Sequence, residues 1–263
     1  MSARPGRVAD PLRFSVQGPE SAPPVLFSAG LGGAGAYWAP QLPAVTGSFR
    51  AVLYDQRGTG NNPGPPNNSI ADMAEDCAAI LARTGPAHFV GHALGGLVGL
   101  EMAIRHPGLL RSLVVVNGWS RLDGHTARCF AVRRRLLDAG GPEAYVQAQP
   151  IFLYPSAWLS AHPGRVAQEE AHGLAHFQGR DTLLARLAAL QAFDAAGRLA
   201  ACPVPALVLA ARDDVLVPYT CSETLAAGIP RATLVLLPGG GHACNVTEPA
   251  SFNEVLSAFL RQH

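Results

Sequence analysis

The sequence predicts an α/β fold, a mostly parallel, doubly wound sheet with an inserted helical cap. Three observations carry this. Short apolar, β-branched runs recur and end in turn residues. Helical patterns separate several of them. One long stretch between two of the runs holds helical patterns alone. The runs are near-continuous and not alternating, as strands read when both faces of a parallel sheet are covered.

The elements follow in order. "VLFSAG" (25–30) and "FRAVLYD" (49–55) are strands. "DQRGTG" (55–60) reads as a turn held by pairing of Asp55 with Arg57, and "NNPGPPNNS" (61–69) as a stiff loop near the sheet's carboxyl edge. Ser69 caps a helix with Asp72 in its first turn, and Gly85 closes it. "HFVGH" (88–92) is a strand, "LGGLVGLEMAIRHP" a helix ended by Pro107, and "SLVVVNG" (112–118) the next strand. From about Trp119 to Arg198 the pattern is helical: "HTARCFAVRRRLLDAGG", "PEAYVQAQPIFLYP", "GRVAQEEAHGLAHFQG" and "DTLLARLAALQAFDAAG". Residues 1–118 and 199–263 are therefore expected to form the core and 119–198 the cap, and caps roof active sites. "PALVLAARDD" (205–214) and "ATLVLLPGGG" (232–241) are the last strands, and "PYTCSETLAAGIP" and "TEPASFNEVLSAFL" the last helices.

Composition narrows the function. The 263 residues suffice for one substantial core, and 48% hydrophobic against 15% charged residues marks a globular chain. A net charge of +1 gives no electrostatic case for nucleic acid. All 20 basic residues are arginines, which excludes a lysine Schiff base, a P-loop lysine and a Ser-Lys dyad. Cys77, Cys129, Cys202, Cys221 and Cys244 are odd in number and scattered, so no disulfide framework and a reducing, cytoplasmic location are expected. "MSARPGRVADPLRF" lacks the apolar core of a secretory leader, and no apolar run approaches the ~20 residues of a membrane span. His172 and His176 stand at metal-ligand spacing, yet only Glu169 lies nearby as a third ligand, so no metal is expected.

The chemistry centres on "GHALGG". It has the spacing of the strand–turn–helix elbow G-x-S-x-G, whose middle residue is a nucleophile. Here that residue is Ala93. Farther on, "AARDDVLVP" ends a strand in acids and "PGGGHACN" presents His242 on a glycine loop. Elbow, acid, histidine is the chain order of the α/β-hydrolase triad. Asp214 is preferred over Asp213 because its spacing to Pro218 is D-x-x-x-P. The expected oxyanion donors are the backbone N–H groups of Leu31, in "FSAGLGG", and Leu94, and both survive the loss of a serine. His92 reads as a packed strand-end histidine, Cys244 as a small buried residue and Arg133-Arg134-Arg135 as a solvated helix face.

Beyond the elbow, "YDQRGTGNN", "GHALGG", "VNGW", "HTARCF", "AQPIFLYP", "LAHFQG", "DDVLVP" and "GGHACNV" together resemble the RutD family, the α/β-hydrolase-like proteins of the Rut pathway for pyrimidine degradation. The resemblance runs from about Pro23 to the C-terminus, cap included. The family also carries alanine at the elbow, which implies that Ala93 is natural. It further implies, without a cofactor, hydrolysis of a small labile product of uracil ring opening, either carbamate or 3-aminoacrylate. Water is then the expected nucleophile, His242 the general base or acid, and Asp214 its orienter. A small anion calls for a cationic or donor group from the cap, and "NGWSRLDGHTARCF" offers Asn117, Trp119, His125 and Arg128. The expected partner is a small-molecule substrate, with neither nucleic acid nor membrane and with a homodimer left open. One rival is a non-catalytic protein that uses the fold to bind a metabolite or a partner enzyme. Another is a serine esterase inactivated by Ser→Ala replacement.

Overall fold

The computed structural model describes residues 11–263. Most of the segment read above for a leader, and the start of the expected core span, lie outside the described residues.

Among the described residues seven strands form one sheet in the order β1-β3-β2-β4-β5-β6-β7. β1 (Phe14–Gln17) runs antiparallel to β3 (Arg50–Tyr54). All other neighbours are parallel: β2 (Pro24–Ser28), β4 (Ala87–His92), β5 (Leu110–Val116), β6 (Ala206–Ala211) and β7 (Ala232–Leu237). The sequence reading did not find β1, a short, mostly exposed edge strand with no continuous apolar run. β2, β4 and β6 are buried at every position, which is why they read as unbroken apolar stretches.

Helices cover both faces. α2 (Ile70–Thr84), α3 (Leu94–Arg105) and α8 (Tyr219–Gly228) pack on one side, while α1 (Leu42–Val45) and α9 (Pro249–Gln262) pack on the other. Ser69 Oγ accepts from Asp72 N at 3.1 Å, and Gly85 ends α2 at φ 92°, a conformation open to glycine. Between β5 and β6 the chain forms α4 (Gly124–Leu153), α5 (Ser156–Ala161), α6 (Pro163–Ala175) and α7 (Arg180–Ala192), and this insertion adds no strand to the sheet. α4 bends at Gly141 (φ 67°, ψ −162°), just before Pro142, where the sequence marks a break between two helices.

This topology locates a crevice. The chain steps from β2 outward to β3, then returns to place β4 on the opposite side of β2. Connections leaving β2 and β4 therefore diverge, and ligands bind at such switch points at the carboxyl ends of the strands. The two loops that diverge here carry Leu31 and Ala93. All five cysteines are unpaired, and no helix of the described residues is long and apolar enough to cross a membrane.

His88 lies inside the fold on β4, with Nδ1 2.8 Å from Ser112 Oγ. Burial, with Arg111 in support, lowers its pKa to about 4. The folded histidine is thus neutral, while in the unfolded chain it gains a proton near pH 6.5. Stability from this group is complete above about pH 6.5 and is lost as pH falls toward 4. The melting temperature should therefore drop between pH 7 and 5. His88→Asn should flatten that dependence by up to about 1.4 kcal/mol per pH unit, measured by denaturant titration across the range.

Candidate active site

The elbow is a close-packed turn. Ala93 follows β4 at φ 47°, ψ −112°, a sparsely populated region for a residue with a Cβ. Its N–H bonds Val116 O at 2.8 Å. A Cβ on Gly91 would strike the carbonyl of Gly95, and a Cβ on Gly95 would strike the carbonyls of Ser28 and Ala29 at the end of β2. The glycines of the motif are thus needed for close approach, and α3 starts immediately after the turn. Ala93 itself is buried on the cavity wall.

His242 follows a loop in which Gly240 and Gly241 take φ 120° and 66°. Its Nδ1 lies 2.7 Å from Asp214 Oδ2. A carboxylate only accepts, so Nδ1 carries the proton and Nε2 is left without a protein partner. His242 lines the same cavity as Ala93. Asp214 Oδ1 also accepts the N–H groups of Leu216 and Val217 at 2.8 and 2.9 Å. Asp213 turns the other way and accepts Gly241 N at 2.8 Å and Gly240 N at 3.3 Å, so it shapes the glycine loop instead of touching the ring.

The backbone of His242 is held from below. Its carbonyl accepts Asn117 Nδ2 at 2.6 Å and lies 2.8 Å from His92 Nε2. A carbonyl cannot donate, so His92 carries its proton on Nε2. Burial keeps the His92 pKa well below its ordinary value. His92 is thus the packed strand-end residue expected, stacked on Tyr37 at 5.0 Å. Asn117 Oδ1 accepts Ala211 N at 3.2 Å, which joins the ends of β5 and β6 to the histidine loop.

The loop after β2 is fixed by the cap. Arg186 of α7 is fully buried and donates from Nε and Nη2 to Leu31 O at 3.1 and 3.0 Å, and from Nη2 to Gly30 O at 3.2 Å and to Gln56 Oε1. Gln56 in turn donates to Ala29 O at 2.7 Å. With the carbonyls of Gly30 and Leu31 engaged away from the cavity, Leu31 and Leu94 both sit on its wall. Neither N–H is spent on an acceptor among the described residues. Burial lowers the Arg186 pKa to about 10, so it stays charged at neutral pH.

The cavity has a volume of about 480 Å³ and a largely apolar wall. Trp119 lines it, fully buried, with its indole N–H unpartnered. The other three cap-side candidates do not. Asn117 is occupied by the histidine loop. His125 is exposed and donates from Nε2 to Val215 O at 2.8 Å, and Arg128 is also exposed. The reason is the helix phase: Thr126, Phe130, Arg133 and Leu137 form the inward stripe of α4, and positions 125 and 128 fall off it.

That stripe corrects another expectation. Arg133 is not part of a solvated face but lies buried, at 3% relative exposure, on the cavity wall beside Gln149. The 126-130-133-137 spacing was the available signal, but the run of three arginines masked it. The pairing expected inside "DQRGTG" is also replaced. Asp55 accepts Gly35 N and Asn61 N, each at 2.8 Å, while Arg57 pairs with Asp76 of α2 at 2.6 Å. His172 and His176 stack at 4.1 Å between ring centroids, and His176 Nδ1 bonds His172 O at 3.0 Å.

Comparison with known proteins identifies the family of the fold that carries this geometry. A family model described as the alpha/beta hydrolase fold matches residues 23–249. RutD of Variovorax paradoxus strain S110, provisionally named a carbamate hydrolase, is 53% identical over 255 residues, covering 95% of this chain and 96% of that protein. The chain belongs to the RutD family of α/β-hydrolase-fold proteins. RutD of Agrobacterium fabrum strain C58, of the same provisional name, is 50% identical over 255 residues, covering 95% and 98%. Among solved structures, a hydrolase from Pseudomonas aeruginosa PA01 is 30% identical with a TM-score of 0.85, covering 94% of this chain and 93% of that one. RutD membership places the chain among enzymes that hydrolyse small molecules.

The elbow glycine gives a test of how this RutD-family site is held. Gly95→Ala should cost about 3 kcal/mol or more, since the added methyl meets backbone carbonyls that cannot move aside. Denaturant unfolding checks this, with the exposed Gly197→Ala as the control.

Proposed function

We propose that the protein hydrolyses a small, labile C–N compound, carbamate or 3-aminoacrylate, with water in place of a serine nucleophile. The observation that carries this reading is the His242–Asp214 hydrogen bond of 2.7 Å on a cavity whose elbow residue is Ala93. A complete acid–histidine pair beside an inert side chain suits activation of water. An oxygen nucleophile is not available from position 93.

The roles follow from the geometry. Water occupies the space a serine hydroxyl would fill, and its proton passes to His242 Nε2 as its oxygen bonds to carbon. Asp214 keeps the ring in the tautomer that leaves Nε2 basic and stabilises the imidazolium. For carbamate, Leu31 and Leu94 N–H take the charge that develops on the carboxyl oxygen; for 3-aminoacrylate they hold the incoming oxygen, while the charge passes through C2 to the carboxylate. Nε2 then returns the proton to nitrogen as the C–N bond breaks. Carbamate and water give ammonia and bicarbonate; 3-aminoacrylate and water give ammonia and the enol of the three-carbon aldehyde acid, which loses its hydroxyl proton and takes one at C2 to become the aldehyde.

Magnitudes favour a labile substrate. Loss of a triad nucleophile costs roughly 10⁶ in kcat for enzymes built around it, but roughly 10³–10⁴ over water survives from binding and oxyanion donors. For a stable amide that remainder achieves little. For a compound with a low uncatalysed barrier, a few kcal/mol is sufficient to matter.

Freshly prepared carbamate and 3-aminoacrylate, followed by ammonia release at several protein concentrations, test the reading. Decay should accelerate in proportion to protein, fall at least a hundredfold in His242→Ala and fall less in Asp214→Asn. Serine-directed phosphonates should leave it unchanged. Ala93→Ser should not raise turnover, although it creates weak esterase activity. Equal decay in buffer, wild type and His242→Ala would leave a metabolite-binding protein on a hydrolase fold.

A further inference from the structure

A buried guanidinium normally has a carboxylate beside it, because removing the charge from water costs several kcal/mol. Arg133 has none. Only Nη2 is engaged, by Tyr145 Oη at 2.8 Å and by Gln149 Oε1. Nε is buried without a partner, and Nη1 makes no hydrogen bond among the described residues. The rings of Tyr145, Phe130 and Phe152 surround the head at 5.2, 5.7 and 5.7 Å. They hold it in one orientation without supplying an acceptor.

The other guanidinium and carboxylate groups on the cavity wall have partners, as does the ring of His242. Arg165 pairs with Glu169 at 3.0 Å, Glu169 also accepts from Tyr154 Oη at 2.6 Å, and His242 has Asp214. Arg186, the other deeply buried arginine of the cap, directs Nε and Nη2 to carbonyl oxygens and is not on the wall. Among the described residues that line the cavity, Arg133 alone is a buried guanidinium with open donors.

We propose that Arg133 is the anion anchor of the site, binding the carboxylate of the substrate from the cap side while the reacting carbon lies at Ala93 and His242. Gln149 supports it by holding Nη2 and fixing the plane of the fork. The assignment defines a substrate class. A one-carbon anion has a single carboxyl group, which must itself react at the cavity floor and leaves Arg133 without a ligand. A short-chain carboxylate whose C–N carbon lies beyond the carboxylate uses both ends. The proposal rests on the hydrolase reading only for which molecule is turned over, since anion binding needs no turnover.

Sodium propanoate and its uncharged isostere propanamide, titrated by ligand-observed NMR, test it. Wild type should bind propanoate at least tenfold more tightly than propanamide. Arg133→Gln should abolish that preference and leave propanamide affinity within threefold. Gln149→Glu is the second variant: it keeps the guanidinium and its apolar contacts but supplies an internal carboxylate, and it should abolish the preference too. If Arg133→Gln does not fold, Gln149→Glu decides alone. No preference in wild type, a preference that survives in either folded variant, or its loss in Arg165→Gln instead would overturn the assignment. Failure of the decay assay with this preference intact would remove the hydrolase reading and leave the anion site.

Discussion

Ala93 is held at φ 47°, ψ −112°, a backbone state that costs an L-residue about 1–3 kcal/mol, and the rest of the site depends on that turn. The turn is imposed by packing. Gly95 lies against the carbonyls of Ser28 and Ala29, so the first turn of α3 presses on the end of β2. The two proposed oxyanion donors, Leu31 just after β2 and Leu94 just after the elbow, owe their spacing to this one approach. None of it involves the side chain at position 93. A serine can therefore be absent while the strained platform, both amides and the facing histidine persist.

His242 shows the same division between chemistry and support. Its ring is directed by Asp214, its preceding glycines by Asp213, and its carbonyl by Asn117 and His92. The cap adds a further restraint through Ala243 N to Leu153 O at 3.0 Å. Hydrogen bonds with an ionised partner are worth more than neutral ones, about 1.5–3 kcal/mol each. Two adjacent aspartates with separate tasks therefore hold both ring and loop. Preorganisation of this kind fits a reaction in which the protein supplies orientation and electrostatics but no covalent intermediate.

The cap contributes two buried arginines, of which only Arg133 lines the cavity. Arg186 directs Nε and Nη2 to backbone carbonyls, with Nη1 buried and unpartnered, and so ties the Leu31 loop to α7. Arg133 faces the cavity with donors to spare. A chain without lysine has only guanidinium for its cationic contacts, and a planar fork matches a carboxylate with both geometry and charge.

Local rules were enough for much of this. Continuous apolar runs in β2 to β7 showed a parallel sheet covered on both faces. Ser69 and Gly85 marked the ends of α2, and Gly140-Gly141-Pro142 the break in α4. The order of Ala93, Asp214 and His242 on that pattern was legible because glycine spacing and a strand-end acid are written in consecutive residues. The family likeness extended that reading to a substrate class. What the sequence could not specify was the partner of each charged side chain. Arg57 reaches Asp76 and not Asp55, Asp213 serves the glycine loop, His125 faces outward and Arg133 inward. These outcomes depend on the rotation of α4 and the placement of the cap on the sheet, set by long-range packing between segments far apart in the chain. A helix pattern gives the spacing of residues along a face, but only the tertiary structure determines which face is turned to the cavity.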